Sequence, residues 1–277
     1  MEDLSFAFVS IRLVIGLIIG VVIGMTGVGG GVLVMPALTA ILGLPASLAV
    51  GTASLYAFLT KAYAVFEHHR LKTIQWGVSL LFLGGAIPGA VVASLVVLRL
   101  ANQSNAAAVQ AFQGTLKNII AWAMVMAAAM LIYNLFVAGK KKSGDNPTSQ
   151  GGLSGSKKII GLLCGLVVGI LIGATSVGGG VLVIPLLVMF FSLNARQTVG
   201  SSILIAVVLT LITSLLYSKG GNLDYVTAIC MWLGSLGGVF VGSRLAVKVP
   251  NRALHATVVV VICVATALMF IGKGGGH

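Results

Sequence analysis

Eight long apolar runs dominate this chain, at about residues 6–25, 47–66, 74–98, 115–137, 158–175, 197–217, 223–247 and 253–272. Each is close to the ~20 residues that a helix needs to cross a ~30 Å hydrocarbon core. Lipid offers no hydrogen bonds to an exposed backbone, so only helices and closed barrels can span it. A barrel would be written as ~10-residue segments of alternating polarity, and these runs do not alternate. The expected fold is therefore all-α, a polytopic membrane bundle of about 8–10 membrane segments. With 58% hydrophobic and 8% charged residues over 277 positions, the chain has too little polar surface to cover a soluble globule.

The net charge of +12 comes from basic residues placed mainly in loops and at the ends of apolar runs. That placement suits membrane orientation better than nucleic-acid binding, so the expected surroundings are a lipid bilayer and no nucleic acid. The first run is longer than a signal-peptide core and follows Glu2 and Asp3 in place of a basic region, so it is read as a retained helix. Cys164, Cys230 and Cys263 lie in apolar runs without metal-type or redox spacing and read as small buried residues. His68, His69, His255 and His277 form no ligand set in sequence, so neither a metal, a cofactor nor an enzyme is expected.

A shift of 149 residues lays 24–98 over 173–247 without a gap. Across "GMTGVGGGVLVMPAL" (24–38) and "GATSVGGGVLVIPLL" (173–187), 11 of 15 positions are identical. The match continues with Val50-Gly51-Thr52 over Val199-Gly200-Ser201, Gly85 over Gly234 and Gly89 over Gly238. Duplication of this kind is a common transporter plan. The expected organisation is a first transmembrane repeat over 1–137, a flexible cytoplasmic linker over 138–157 rich in glycine, serine and lysine, and a second transmembrane repeat over 158–277.

The short apolar segments after each glycine cluster, 32–43 and 181–192, decide the relative orientation of the repeats. As helix each spans only about 18 Å. If it counts as a crossing, the repeats are inverted and Arg70, Lys72, Lys140, Lys141, Lys142, Lys157, Lys158, Arg196, Arg244, Lys248 and Arg252 share a face opposite Arg99, Lys117, Lys219 and Lys273. If it is re-entrant, the repeats are parallel and the basic residues divide more evenly. The positive-inside rule favours inversion.

Broken helix is tolerated in a membrane only where it is buried in protein or lines a polar cavity. Glycine permits the turn, and Pro36 and Pro185 suit the first turn of a new helix, where a missing N–H is least missed. Such a helix start offers free N–H groups and the positive end of the helix dipole, which suits a small anion. The candidate substrate-binding residues are Thr26, Gly27, Gly29, Gly30 and Gly31 in the first turn, and Thr175, Ser176, Gly178, Gly179 and Gly180 in the second. Thr52, Ser54, Ser201 and Ser202 join them from the following long runs, as hydroxyls that donate without fixing charge in the membrane. The competing reading is that the glycines serve close helix packing, and it is preferred for Gly85, Gly89, Gly234, Gly238 and Gly242 at four-residue spacing. A phosphate-binding loop would need Gly-Lys-Ser/Thr, and Val32 stands there instead.

Through these motifs the sequence resembles the sulfite exporter TauE/SafE family, also called the toluene sulfonate uptake permease family. The resemblance rests on the repeated Gly-x-x-Ser/Gly-x-Gly-Gly-Gly-x-Leu-x-x-Pro, the Val-Gly-Thr/Ser pair, and the loops "HHRLKTIQW" and "YSKGGNLDY". It implies movement of sulfite, sulfonates or other sulfur-containing organic anions across a prokaryotic cytoplasmic membrane. Gly27 stands where Ser176 keeps the family's serine, so the two halves are expected to contribute unequally.

Lys61 is a charge inside an apolar run, which makes it a candidate anion contact. Near the end of that run it could equally snorkel to the interface. Its repeat partner is Thr210. No carboxylate lies in the middle of a run, which disfavours a buried Asp/Glu proton relay and leaves open a coupling ion or a proton carried on the anion. The leading expectation is a secondary transporter of a small sulfur oxyanion working by alternating access. An anion channel and a non-transporting receptor or scaffold are the alternatives.

Overall fold

The computed structural model describes residues 6–26, 31–136, 155–177, 182–191, 193 and 195–246. Their regular structure is all helical: α1 (Phe6–Thr26), α2 (Gly31–Pro36, continuing as a π-helical Ala37–Ile41), α3 (Ala46–Arg70), α4 (Trp76–Ala101), α5 (Ala106–Phe136), α6 (Gly155–Thr175), α7 (Val183–Phe191), α8 (Ala195–Lys219) and α9 (Tyr225–Ala246). Five are long and apolar enough to cross a membrane, namely α3, α4, α6, α8 and α9. The expected all-α polytopic membrane fold is observed. The apolar run at 253–272 and most of the linker lie outside the described residues.

Several helices exceed their apolar runs. α3 continues to Arg70 and α5 begins at Ala106, each carrying polar residues beyond its apolar run. The two short helices differ. Pro185 is the third residue of α7, in its first turn as expected. Pro36 is the sixth residue of α2, beyond the first turn, and the chain continues from it as π-helix. Gly43 then takes φ +67°, which turns the chain into α3.

The main seams are glycine contacts between early and late helices. Gly16 of α1 lies against the backbone of Met231 and Gly20 against Ser235, while Gly234 and Gly238 of α9 lie against Leu13 and Leu17. Residue numbers climb together, so α1 and α9 are parallel. The same pattern joins α4 to α6: Gly165 meets Phe82, Gly169 meets Ala86, Gly85 meets Leu162 and Gly89 meets Leu166. α3 and α8 cross antiparallel, with Gly51 against Asn222 and Gly200 against Thr73. Each pair reappears at the 149-residue shift: Gly16–Met231 becomes Gly165–Phe82, and Gly51–Asn222 becomes Gly200–Thr73.

These directions fix the course of the chain. The turns at 71–75 and 220–224 reverse it between α3 and α4 and between α8 and α9. α1, α3 and α9 therefore begin on one face, the near face, and α4, α6 and α8 begin on the opposite, far face. α1 and α6 run in opposite directions. Lys72 (φ +51°) and Gly221 (φ +71°) occupy matching left-handed positions in the two turns, on opposite faces.

The seams tolerate little added volume. A Cβ on Gly85 would stand 2.0 Å from the Leu162 carbonyl oxygen, whereas one on Gly77 would meet nothing within 4 Å. Gly85→Ala is expected to destabilise the protein by about 1–3 kcal/mol, while Gly77→Ala leaves stability unchanged or slightly raised. Thermal unfolding of the detergent-solubilised variants measures both.

Candidate functional site

The second glycine turn begins where α6 ends inside the bundle. Ser176 takes φ +56°, a left-handed conformation that L residues adopt at a cost. The matching position in the first half is Gly27, where that conformation carries no penalty. Ser176 N–H donates to the Ile172 carbonyl at 2.8 Å, and Val177 N–H to Thr175 Oγ1 at 3.1 Å. Thr175 in turn donates to the Leu171 carbonyl at 2.6 Å. The Gly173 carbonyl accepts from Ser94 Oγ at 3.2 Å and from Tyr217 OH at 3.1 Å. The broken helix end is thus satisfied by side chains from α4 and α8, as a water-poor interior requires.

Ser54 faces this turn from α3. Its Oγ lies 3.0 Å from Ser176 Oγ and 2.8 Å from the Val50 carbonyl, and both serines are buried. A hydroxyl carries one proton, so while Ser54 donates to Val50 it accepts from Ser176. Ser54 lies about 12 Å along α3 from Ala46, well inside the bundle. At the 149-residue shift Ser176 and Ser54 correspond in sequence to Gly27 and Ile203, neither of which carries a hydroxyl.

Thr52 and Ser201 are placed differently. Thr52 Oγ1 accepts from Asp224 N–H at 3.1 Å, and Ser201 Oγ accepts from Gln75 N–H at 3.0 Å. These bonds correspond at the 149-residue shift, and each ties the long helix of one half to the residue preceding α9 or α4 in the other. Thr52 and Ser201 therefore lie toward opposite faces. Ser202 Oγ donates to the Val199 carbonyl at 2.9 Å.

Lys61 stands nine residues before Arg70, further from its helix end than the apolar run implied. It is partly exposed and lies on the same face of α3 as buried Val50, Ser54 and Ala57. Of the remaining candidates, Thr26 ends α1 and Gly31 begins α2. Gly27, Gly29, Gly30, Gly178, Gly179 and Gly180 lie outside the described residues.

Sequence reasoning passed over Arg12. It is 6% exposed on α1, donates from Nε to Thr227 Oγ1 at 2.6 Å and from a terminal nitrogen to the Phe8 carbonyl at 3.1 Å, and lies over the Phe8 ring. Thr227 donates to Asp224, whose other carboxylate oxygen accepts from Thr227 N–H at 3.0 Å. The signal was available, since Arg12 is a lone guanidinium in the first apolar run. The buried Tyr56 OH has Ser235 as a polar neighbour, and the buried Trp232 Nε1 atom meets no hydrogen-bond partner among the described residues. Their counterparts at the 149-residue shift are Ile205 and Leu83, so nothing in the repeat pattern marked them.

A second polar group lies at the near face. Ser47 Oγ donates to Asn222 Oδ1 at 2.8 Å and accepts from Gln113 Nε2 at 2.8 Å, while Asn222 Nδ2 donates to Asn102 Oδ1 at 2.9 Å. These bonds lace α3, α5 and the turns before α5 and α9. Among the described residues no group of three or more His, Cys, Asp or Glu is placed to hold a metal ion.

Comparison with known proteins points to a family of membrane transporters. The sequence profile of the Sulfite exporter TauE/SafE family matches residues 12–269. The chain is 32% identical over 253 residues to the probable membrane transporter protein YjnA of Bacillus subtilis, covering 91% of this chain and 96% of that one. It is 28% identical over 247 residues to the probable membrane transporter protein MJ0441 of Methanocaldococcus jannaschii, covering 86% and 80%. A third relative, the probable membrane transporter protein YdhB of Bacillus subtilis, is 23% identical over 251 residues, covering 89% and 94%. No solved structure gives a significant match. With a family profile spanning nearly the whole chain and relatives named as transporters over most of their lengths, this membrane protein belongs to the TauE/SafE sulfite exporter family.

Proposed function

We propose that the chain is a secondary carrier that moves a small sulfur-containing anion, such as sulfite, a sulfonate or a related organosulfur oxyanion, across a prokaryotic cytoplasmic membrane. The observation that carries this reading is the buried Ser54–Ser176 hydroxyl contact at the point where α6 breaks inside the bundle. Hydroxyls at an interrupted helix offer neutral donors to an oxyanion, and the family membership supplies the sulfur chemistry. In this reading the glycine turns at 26–31 and 175–180 complete the anion cradle, with Thr175 buttressing the second turn.

The mechanism proposed is alternating access between two inverted repeats, 1–137 and 158–277, joined by a cytoplasmic linker over 138–157. Three findings support inversion: the opposite directions of α1 and α6, the contacts that recur at the 149-residue shift, and the placement of Lys72 and Gly221 on opposite faces. The far face carries Arg70, Lys72, Lys157, Lys158, Arg196 and Arg244, which makes it the cytoplasmic one by the positive-inside rule. The Ser47–Asn222–Asn102 bonds then close the external side in the conformation described. Rocking of one repeat against the other would break them and expose the site outward.

Proteoliposomes preloaded with unlabelled sulfite should accumulate labelled sulfite transiently, since only a carrier gives counterflow. Steady current without counterflow would contradict the reading in favour of a channel. Ser54→Ala and Ser176→Gly each remove a hydroxyl, and glycine preserves the backbone at 176. A hydrogen bond to a charged group contributes ~1.5–3 kcal/mol, so each variant should lower the initial counterflow rate about tenfold or more while leaving thermal unfolding nearly unchanged.

A further inference from the structure

Among the described residues, Lys61 is the cation on the Ser54 face of α3. Glycine contacts bracket the α3–α8 crossing, Gly51 with Asn222 on one side and Thr73 with Gly200 on the other, and the midpoint between 51 and 73 falls beside Lys61. The same midpoint on α8 falls beside Thr210, the counterpart of Lys61 at the 149-residue shift. Lys61 therefore stands close to the axis that would relate the two halves, and it has no cationic counterpart. Thr210 donates to the Ala206 carbonyl at 2.7 Å and is 1% exposed.

Lys61 makes no hydrogen bond or ion pair with any described residue. Asp224, the acidic residue whose side chain is described, lies toward the near face in the bonds with Thr227 and Arg12. Glu67 is six residues along α3, a third of a turn off the Lys61 face. Of the first twelve residues of α3, all are buried except Leu48 and Leu55, which are partly exposed. From Phe58 to Lys61 every residue is partly exposed, as are Ala64 and Val65, and Ala62 is exposed. The packing around α3 thus opens at the level of Lys61.

Seven residues separate Lys61 from Ser54, so the two share a face about 10.5 Å apart along the axis. Side chains on a helix lean toward its N-terminus, which directs the Lys61 ammonium back toward the Ser54–Ser176 pair. A cation in a membrane interior without a protein counter-ion is costly and is relieved by a ligand of opposite charge. One lysine neutralises one negative charge, and the hydroxyls opposite it are neutral.

Building on the carrier reading, we infer that the chain binds one monoanion at a time between Lys61 and the Ser54–Ser176 hydroxyls, and that Lys61 selects monoanions over dianions. A dianion leaves one charge uncompensated in a poorly hydrated site and is rejected. The first glycine turn, with Gly27 and Ile203 in place of the serine pair, is not a second equivalent site.

The test is isothermal titration of the full chain in lipid nanodiscs with methanesulfonate, a fixed monoanion, and with sulfate, a fixed dianion, at equal ionic strength. Wild type should bind methanesulfonate at one site per chain and about tenfold or more tighter than sulfate. Lys61→Thr, which copies the residue at the matching position of the other half, should weaken methanesulfonate about tenfold or more, and Lys61→Arg should retain most of the affinity and the preference. Equal or tighter sulfate binding, two equivalent sites, or undiminished binding by Lys61→Thr would overturn the inference while leaving an anion carrier standing. Failure of wild type to bind methanesulfonate would overturn this inference, while the anion-carrier reading is decided separately by the sulfite counterflow measurement. Should Lys61→Thr not fold, the wild-type monoanion-to-dianion ratio and the Lys61→Arg variant decide the matter.

Discussion

Backbone amides inside hydrocarbon need partners from the protein itself, and that requirement governs this molecule wherever a helix stops short of the membrane surface. At the end of α6 the Gly173 carbonyl is met by Ser94 and Tyr217, and the Val177 amide by Thr175. Those partners come from α4, α8 and the turn itself, so the interruption is held by residues from both halves of the chain. A break secured in this way can present neutral hydroxyls deep in the bundle without leaving a charge to be desolvated.

The rest of the architecture follows from bringing those parts together. The parallel seams of α1 with α9 and of α4 with α6 each join an early helix to a late one, and glycine lets their backbones touch. The crossing of α3 and α8 lies between the seams. At its two ends, Thr52 and Ser201 accept hydrogen bonds from the amides of Asp224 and Gln75. Neither half completes its own contacts, so the fold depends on both being present.

Much of the fold was legible because lipid restricts the menu. Apolar runs of sufficient length had to become helices, and the glycine clusters with their prolines marked where helices break. The seam glycines were also recognisable, since Gly85, Gly89, Gly234 and Gly238 recur at the spacing that keeps one helix face small. The function of individual hydroxyls was less legible. Thr52 and Ser201 stand with Ser54 as candidate anion donors, and the bonds they accept from the Asp224 and Gln75 amides were not legible, because those partners lie in turns that only the folded arrangement brings near. Pro36 lies past the first turn of its helix, unlike Pro185, and identical motif letters did not reveal that difference. Lys61 is deeper than its apolar run suggested, since a helix can extend through the polar residues up to Arg70. Arg12 escaped notice although its partners Thr227 and Asp224 sit together in sequence, because nothing local ties them to α1.

The opposed course of the two halves is the claim on which the carrier reading depends, and matching turn positions offer the most direct measurement. Single cysteines in place of Lys72 and Gly221, in a background without other cysteines, can be labelled in sealed vesicles of known orientation with a membrane-impermeant maleimide. Opposed halves require position 221 to label from the outside and position 72 to label only once the membrane is opened. Labelling of both positions from the same side would contradict the account.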